Sequence, residues 1–337
     1  MRRTGPATIT DVAALAGVSI KTVSRVLNRE PRVSTDTQAK VLSAVETLSY
    51  RPNVMARGLA SRRSALIGLV CENPSLHYIH SVQLGAMRKA AELGMHVAVV
   101  HGGGRGLRPE DVLRFVHETH LAGLILAPPI GDDPRLIEML LGEGVRVVGI
   151  APRAPHPAIP SVYIDDVSAA REITELLLRL GHARIGLIEG PADHGASHWR
   201  KQGFAQAMAA AGRRIDPEFL RQGDFSFRAA MDAGAALLER EVRPTAVFAC
   251  NDDMAAGVLA AALRLGISVP DQLSIAGFDD SSIATIVWPQ LTTIRQPVDA
   301  MAEQAVRLLV EADGPARLRL PYAMIERGST ATVSTQK

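Results

Sequence analysis

The segment from Thr10 to Asn28 constrains the fold of this chain more than any other, because it fits two short amphipathic helices joined by a tight turn. Val12, Leu15 and Ala16 have the spacing of one face of a first helix. Gly17 follows directly, and glycine at this position predicts the end of that helix.

A second helix is predicted to begin after Ser19, whose hydroxyl is suited to cap the first free backbone N–H groups. Its apolar face consists of Val23, Val26 and Leu27. Two short helices with a glycine-containing turn between them form the helix-turn-helix unit, whose second helix enters the major groove of DNA.

A third helix completes the predicted N-terminal head. It follows Pro31 and is capped by Ser34. The apolar side chains that it contributes to the core are Val41, Leu42, Val45 and Leu48. The sequence therefore predicts a compact all-α head.

Charge is distributed unevenly between this head and the rest of the chain. Residues 1–63 hold 11 Lys and Arg against 4 Asp and Glu, a net charge of +7, whereas the whole chain of 337 residues has a net charge of only +2. A small basic head on an acidic body is typical of a protein whose head alone meets a polyanion. A merely solvated basic face is the alternative that charge by itself leaves open.

The head resembles the LacI/GalR family of bacterial transcription regulators. The resemblance rests on DVAALAGVSIKTVSRVLN from Asp11 to Asn28, and it continues through YRPNVMARGL from Tyr50 to Leu59, which is similar to the hinge segment of that family. This similarity implies a repressor that holds a pseudo-palindromic operator as a homodimer.

The resemblance implies base-reading roles for Ile20, Lys21 and Arg25, and an arginine is suited to a bidentate contact with guanine. By the same resemblance, contacts to the DNA backbone are expected from Thr22, Ser24, Asn28, Ser34 and Tyr50. Ordinary helix capping and packing is the alternative for each of these five.

In the hinge-like segment, Leu59 resembles the apolar wedge that paired hinge helices insert into the minor groove. Arg57, like Arg62 and Arg63, is expected to add salt-sensitive attraction to the DNA backbone.

From Ser64 onward, short β-branched runs alternate with longer amphipathic segments, which predicts parallel sheets covered by helices. Predicted strands include 66–70, 97–100, 123–126, 185–188, 246–250 and 274–277. Predicted helices include 82–93, 170–180, 201–211 and 254–265. The run IGLV from Ile67 is echoed by IGLI from Ile185, which indicates two similar α/β halves.

This larger part also resembles the LacI/GalR family, whose effector domain has a periplasmic-binding-protein-like fold. The similar segments are DD from Asp165, LGHARI from Leu180, RKQGF from Arg200, CNDD from Cys250, GFDD from Gly277 and PQLTTIRQP from Pro289. The predicted fold class is thus an all-α helix-turn-helix head plus an α/β effector domain of two similar parallel-sheet subdomains.

The resemblance implies that Arg200, Asn251 and Asp279 bind a small sugar-like effector between the two halves, and that Phe225 stacks on its ring. Their chemistry suits a polyol, because arginine donates, aspartate accepts and asparagine does both. A structural ion pair or helix cap is the alternative for the polar three, and a core position is the alternative for Phe225. Further effector contacts are expected from Glu72, Asn73, His77 and Tyr78.

The predicted domain organisation follows these motifs. Residues 1–52 form the head, 53–63 the hinge, 64–330 the effector-binding and dimerisation domain, and 331–337 a tail. Within the effector domain, 64–163 with 290–320 and 164–289 with 321–330 are the predicted subdomains.

Other classes of protein fit the sequence less well. The glycines around residue 103 lack the register of a dinucleotide-binding loop, and the histidines lack metal-ligand spacing, so no enzyme activity, cofactor or metal is expected. No secretory signal or membrane span is visible, which argues against an exported sugar receptor and for the cytoplasm. Cys71 and Cys250 are expected to be buried thiols, and the absence of a C-terminal leucine heptad favours a dimer over a tetramer.

Overall fold

The computed structural model describes residues 7–27, 33–50, 64–102, 106–311 and 314–333. The chain divides into two compact units, with the division between Ala65 and Leu66. The predicted fold class is confirmed in both units. In the described residues, the first unit is a head with three helices and the second is an α/β domain with two parallel sheets.

The head consists of α1 (Ile9–Ala16), α2 (Ile20–Leu27) and α3 (Thr35–Thr47). Thr8 caps α1 reciprocally, because its hydroxyl accepts from Asp11 N while its own N–H donates to the Asp11 carboxylate at 2.8 Å.

The predicted turn and caps of the head are confirmed. Gly17 ends α1 with φ 65°, a left-handed conformation that an L side chain rarely adopts. Ser19 Oγ accepts from Thr22 N at 3.1 Å, and Ser34 Oγ accepts from Thr37 N at 3.3 Å.

The head packs around the fully buried side chains of Val12, Val23 and Val41. Two predicted core positions are wrong, because Leu15 is 53% exposed and Leu42 is 54% exposed. The buried side chains of α1 are Val12 and Ala13, so Leu15 lies outside the buried face of that helix. The buried side chains of α3 are Val41 and Ala44, so Leu42 lies outside the buried face in the same way.

The first sheet of the larger unit has six parallel strands in the order β11-β5-β4-β3-β1-β2. These strands are β1 (Leu66–Val70), β2 (His96–Val100), β3 (Gly123–Leu126), β4 (Val147–Ile150), β5 (Ser161–Tyr163) and β11 (Arg317–Arg319). Its helices are α4 (Leu76–Glu92), α5 (Pro109–Thr119), α6 (Pro134–Gly142) and α12 (Val298–Val310). We call this group the first lobe.

The second sheet has four parallel strands in the order β7-β6-β8-β9. These strands are β6 (Ile185–Glu189), β7 (Leu220–Gln222), β8 (Ala246–Ala249) and β9 (Ser274–Ala276). Its helices are α7 (Asp166–Arg179), α8 (Gly195–Ala210), α9 (Phe227–Leu238), α10 (Asp252–Arg264) and α11 (Ser282–Ile286). We call this group the second lobe.

Alternation along the strands buries both faces of the first sheet. Ile67 and Leu69 of β1 pack in the cluster that contains α4 and α12, whereas Val70 packs in the cluster that contains α5 and α6. A parallel strand covered by helices on both faces needs apolar residues in a continuous run, which is why LIGLV was recognisable in the sequence.

The described chain passes between the lobes at three places, namely residues 164–165, 296–297 and 320–322. Beside them, β10 (Thr293–Arg295) pairs antiparallel with β12 (Ala323–Ile325). The N–H of Ile275 donates to Ser329 O at 2.8 Å, which ties the last described residues to the second sheet.

The predicted strands 66–70 and 123–126 are confirmed as they stand, and the other four differ at their ends by one residue. The predicted helices begin too late, by six residues in α4 and α8, four in α7 and two in α10. Their first turns carry polar or small residues, such as His77 in α4 and Ser197 in α8, so apolar periodicity does not reveal them.

Both cysteines are free and buried, as predicted. Burial raises the pKa of the Cys71 and Cys250 thiols to about 12, so both remain protonated at neutral pH. Among the described residues, no helix is both long enough and apolar enough to cross a membrane.

Close helix packing in the second lobe depends on Gly203 of α8, where an added Cβ would lie 2.2 Å from Val167 O of α7. We expect Gly203→Ala to lower the free energy of unfolding by about 1–3 kcal/mol, because the two helices must separate. Gly142→Ala is the matched control, since its Cβ would meet nothing within 4 Å. Chemical denaturation measures both variants, and equal stabilities would contradict the packing argument.

Candidate functional site

The four principal effector residues predicted from the sequence lie together in the second lobe. Arg200 is on α8, Asn251 caps α10, Asp279 follows β9, and Phe225 precedes α9. All four line one cavity that the first lobe closes from the other side. They meet there because parallel strands present their carboxyl ends at one edge of the sheet, where ligands of such folds bind.

Arg200 organises the floor of this cavity, although it is only 4% exposed. Its Nε donates to Asp166 Oδ1 at 2.9 Å, and its Nη1 lies 3.6 Å from Asp279 Oδ1. Nη1 also donates to the carbonyl of Cys250, and the guanidinium lies 3.6 Å from the centre of the Phe278 ring. A buried guanidinium is thus paired on several sides, as its desolvation requires.

Asp279 is the second charged group of the cavity. Its backbone has φ 110°, and Gln296 Nε2 donates to its Oδ1 at 2.6 Å. Burial raises the pKa of Asp279 to about 7, against the opposing effects of the Arg200 charge and the Gln296 hydrogen bond. The carboxyl can therefore change its protonation state near neutral pH.

Asn251 and Phe225 have structural contacts as well as places in the cavity wall. Asn251 Oδ1 accepts from Met254 N at 2.9 Å, which caps α10, and its Nδ2 donates to Phe225 O at 3.0 Å. The Phe225 ring meets the His194 ring edge-on, with centroids 5.0 Å apart. Its backbone is left-handed, with φ 68°.

The structure adds cavity residues that the sequence reasoning missed, among them Asp166, His194 and Gln296. Asp166 and Gln296 fall inside segments already matched by resemblance, so that similarity could have found them. His194 had no comparable signal.

His194 is buried, and burial together with the nearby Arg200 charge lowers its pKa to about 3, so its ring is neutral. Its Nε2 lies 3.3 Å from Asn73 Nδ2 of the first lobe. Within the described ranges, its Nδ1 has no hydrogen-bond partner.

The four further effector candidates of the first lobe divide into two pairs. Asn73 and Tyr78 line the cavity. Glu72 instead accepts from Leu107 N at 3.0 Å, and His77 lies 3.5 Å from Ser81 Oγ, so the structure does not bring these two into the cavity wall.

The lobes are closed on each other around this cavity. Its space outside atoms is about 380 Å³ when the mouth open to solvent is included, but the centre of a water-sized sphere can reach only about 20 Å³ of it. That volume holds about one water molecule, so a sugar-sized ligand requires the lobes to separate.

The head presents the predicted base-reading residues on the outer side of α2. Ile20 is 48% exposed, and Lys21 and Arg25 are exposed as well. Their side chains are therefore accessible to a groove of DNA.

The head residues that are predicted to contact the DNA backbone differ in their hydrogen bonding and burial. Thr22 Oγ1 lies 2.9 Å from Ser19 Oγ, Ser34 caps α3, Ser24 is half-buried, and Tyr50 packs against the head core. Asn28, Arg57 and Leu59 lie outside the described residues.

No cluster of three or more His, Cys, Asp or Glu side chains suited to hold a metal ion occurs in the described part of the chain.

Comparison with known proteins finds matches to both units. A family model described as "Bacterial regulatory proteins, lacI family" matches residues 8–53, and one described as "Periplasmic binding protein-like domain" matches residues 174–330. The regulator DegA of Bacillus subtilis is 33% identical over 335 residues, covering 97% of this chain and 99% of DegA.

Two solved structures extend the similarity. The lac repressor dimer bound to operator and the anti-inducer ONPF is similar at a TM-score of 0.86 and 29% identity, with 97% of this chain and 100% of that chain covered. A complex of the regulator CelR with cellobiose is similar at 0.73 and 32% identity, with 96% and 99% covered.

The raised pKa of Asp279 predicts how stability depends on pH. Between the ordinary carboxyl pKa of 3.8 and the raised pKa of about 7, the folded state binds more protons at Asp279 than the unfolded state does. The contribution of Asp279 to the free energy of unfolding therefore falls as pH rises through this range. Asp279→Asn removes that contribution. We expect the stability of the wild type minus that of the variant to decrease from pH 5 to pH 8 in urea denaturation. A difference that stays constant or grows would contradict the assignment.

Proposed function

The chain belongs to the LacI family of bacterial regulatory proteins, and on that premise we propose a repressor that binds operator DNA through α2 and responds to a sugar-like effector in the cavity between the lobes. One observation carries the proposal. The same chain combines an exposed basic helix in a helix-turn-helix with a cavity lined by buried donors and acceptors.

In the proposed DNA complex, Arg25 reads a guanine through its two parallel N–H donors, which match O6 and N7. Ile20 supplies an apolar contact suited to a thymine methyl group, and Lys21 supplies a further donor. Thr22, Ser24, Asn28, Ser34 and Tyr50 contact the phosphates, and such contacts set register without reading sequence. The capping hydroxyls Thr22 and Ser34 would serve both helix and phosphate.

We extend the proposal to the hinge segment, where Leu59 would enter the minor groove between base pairs and Arg57 would add backbone attraction.

The proposed effector is a neutral or acidic sugar. Arg200 and Asn251 would donate to hydroxyl oxygens, Asp279 would accept from vicinal hydroxyls, and Phe225 would stack on the ring. Asn73 and Tyr78 would close the site from the first lobe, and Glu72 and His77 would reach it only after a rearrangement. The cellobiose of the similar CelR complex supports a sugar rather than another small molecule.

The proposed assembly is a homodimer, which places two heads on a pseudo-palindromic operator. The similar lac repressor structure is a dimer bound to operator, which supports this assembly.

Effector binding would act by shifting the equilibrium between closed and open lobes. If effector and operator binding are coupled by about 1–3 kcal/mol through these two states, the bound effector changes the free energy of operator binding by that amount.

We also propose the domain boundaries predicted from the sequence, with a head at 1–52, a hinge at 53–63, an effector domain at 64–330 and a tail at 331–337. Both parallel sheets of the larger unit fall within the proposed effector domain. We further propose a cytoplasmic location and binding without turnover, since the similar proteins are described as regulators.

Arg25→Ala tests the base-reading role. An operator is first selected with the wild-type protein from a random duplex library, and binding is measured by fluorescence anisotropy. We expect the variant to lose about 1–3 kcal/mol of discrimination between that operator and an unrelated duplex. Lys40→Ala, an exposed residue of α3 paired with Asp36, is the control and should keep the discrimination. Equal losses in both variants would refute the role of Arg25.

The effector site is tested by a thermal-shift screen of the full chain against neutral sugars. A ligand that binds only the folded state raises the unfolding temperature. We expect Asp279→Asn to abolish the shift of any hit, because the amide cannot accept from two hydroxyls as a carboxylate does. Asp232→Asn, an exposed position of α9, should leave the shift intact. A shift that survives Asp279→Asn would place the ligand elsewhere.

A further inference from the structure

A second pocket lies beside the effector cavity and is lined by three arginines, Arg153, Arg317 and Arg319, together with Tyr163 and Trp199. We call it the arginine pocket. It adjoins the effector cavity through two shared wall residues, Ala151 and Asp166. None of its arginines has a part in the proposed sugar site.

The pocket is built from both lobes. Arg317 and Arg319 extend from β11, which pairs with β5 so that Arg319 lies opposite Tyr163. Trp199 comes from α8 of the second lobe. Arg153 follows β4 and packs closely against the first residue of α8, because a Cβ at Gly195 would lie 2.8 Å from Arg153 Cα.

The positive charges of this pocket are only partly neutralised. Arg319 Nη1 lies 3.6 Å from Asp165 Oδ2, beyond a hydrogen bond, and the Asp165 carboxylate already accepts from Ser168 N and Oγ at 3.0 and 2.9 Å. Among the described residues, the guanidinium groups of Arg153 and Arg317 have no ion-pair partner.

Acidic groups nearby cancel only part of this excess. The carboxylate of Asp132 accepts from the backbone N–H of Arg153 at 2.6 Å and also interacts with the Arg153 charge. Asp166 also lines the pocket, but its carboxylate is bonded to Arg200. The central carbon of the Arg317 guanidinium lies 4.7 Å from the centre of the Tyr163 ring, a cation–π contact that places this charge at the pocket wall.

The arginine pocket also has the space that the effector cavity lacks. The centre of a water-sized sphere can reach about 240 Å³ in the arginine pocket, against about 20 Å³ in the effector cavity. A small anion, or a sugar that carries an acidic group, therefore fits while the lobes remain closed.

We propose that the arginine pocket is a second ligand site, which binds the phosphoryl or carboxylate group of a small anionic metabolite. The fork of an arginine is matched to both groups, and the two aromatic side chains provide faces for the remainder of the ligand. A ligand bound there contacts both lobes, so it stabilises the closed arrangement. The proposal does not depend on which effector occupies the neighbouring cavity.

The test uses the full chain and two probes, inorganic phosphate and D-gluconate, each compared with chloride at the same ionic strength. Isothermal titration and thermal unfolding measure binding. We expect the double variant Arg317→Gln, Arg319→Gln to bind the better probe at least about tenfold more weakly than the wild type. Both positions are exposed on an edge strand, so the variant keeps the fold, which its unfolding temperature without anion checks.

Arg135→Gln is the matched control, since this arginine is exposed on α6 and lies outside the pocket. It should bind the probe as the wild type does. Equal affinities in the double variant and the control would overturn the proposal. So would the absence of binding by either probe to the wild type at about 1 mM.

Discussion

The larger unit depends on one buried cation, the guanidinium of Arg200. It brings together the first turn of α7 through Asp166, the end of β8 through the carbonyl of Cys250, and the loop after β9 through Asp279. Removing a charge of this kind from water costs several kcal/mol, and only this arrangement of partners offsets the cost. The residues that would meet an effector are consequently also residues that hold the second lobe in one arrangement. Loss of Arg200 itself would leave two buried carboxylates facing each other, so its substitution reports on folding before it reports on binding.

Much of this architecture was predictable from local pattern. The strand Leu66–Val70 is an uninterrupted apolar run, because helices cover both faces of its sheet, and its bounds were predicted as observed. Asn251 and Asp279 follow β8 and β9 at the carboxyl edge of the second sheet, and Arg200 lies within the helix that follows β6, so the family resemblance made their convergence predictable. The first turns of α4 and α8 were not, because they face a polar cleft and lack apolar periodicity. Leu15 and Leu42 were assigned to the core from apolar spacing along their helices, but such spacing fits more than one helical face, and the face that packs does not include them.

The sequence did not reveal the contacts and pockets that are formed by residues from distant segments. His194 and Asn73 are separated by 121 positions and lie on different lobes, yet their side chains meet at 3.3 Å. The arginine pocket is similar in origin, since Arg153 and Arg319 come together only because β11 takes the edge position beside β5. No spacing rule within one segment detects such pairs. The hinge residues Arg57 and Leu59 are a different case, because their roles follow from resemblance and concern residues outside those described.

The two lobes of the larger unit are joined covalently at three places. Residues 164–165, 296–297 and 320–322 run side by side where the lobes meet, and the pairing of β10 with β12 holds two of them in register. Three neighbouring connections permit a rotation about their common line and oppose sliding of one lobe along the other. A protease that cut any one passage would leave the lobes joined by the remaining two. Such a nicked protein would still be a single folded body, whose fragments would separate only under denaturing conditions.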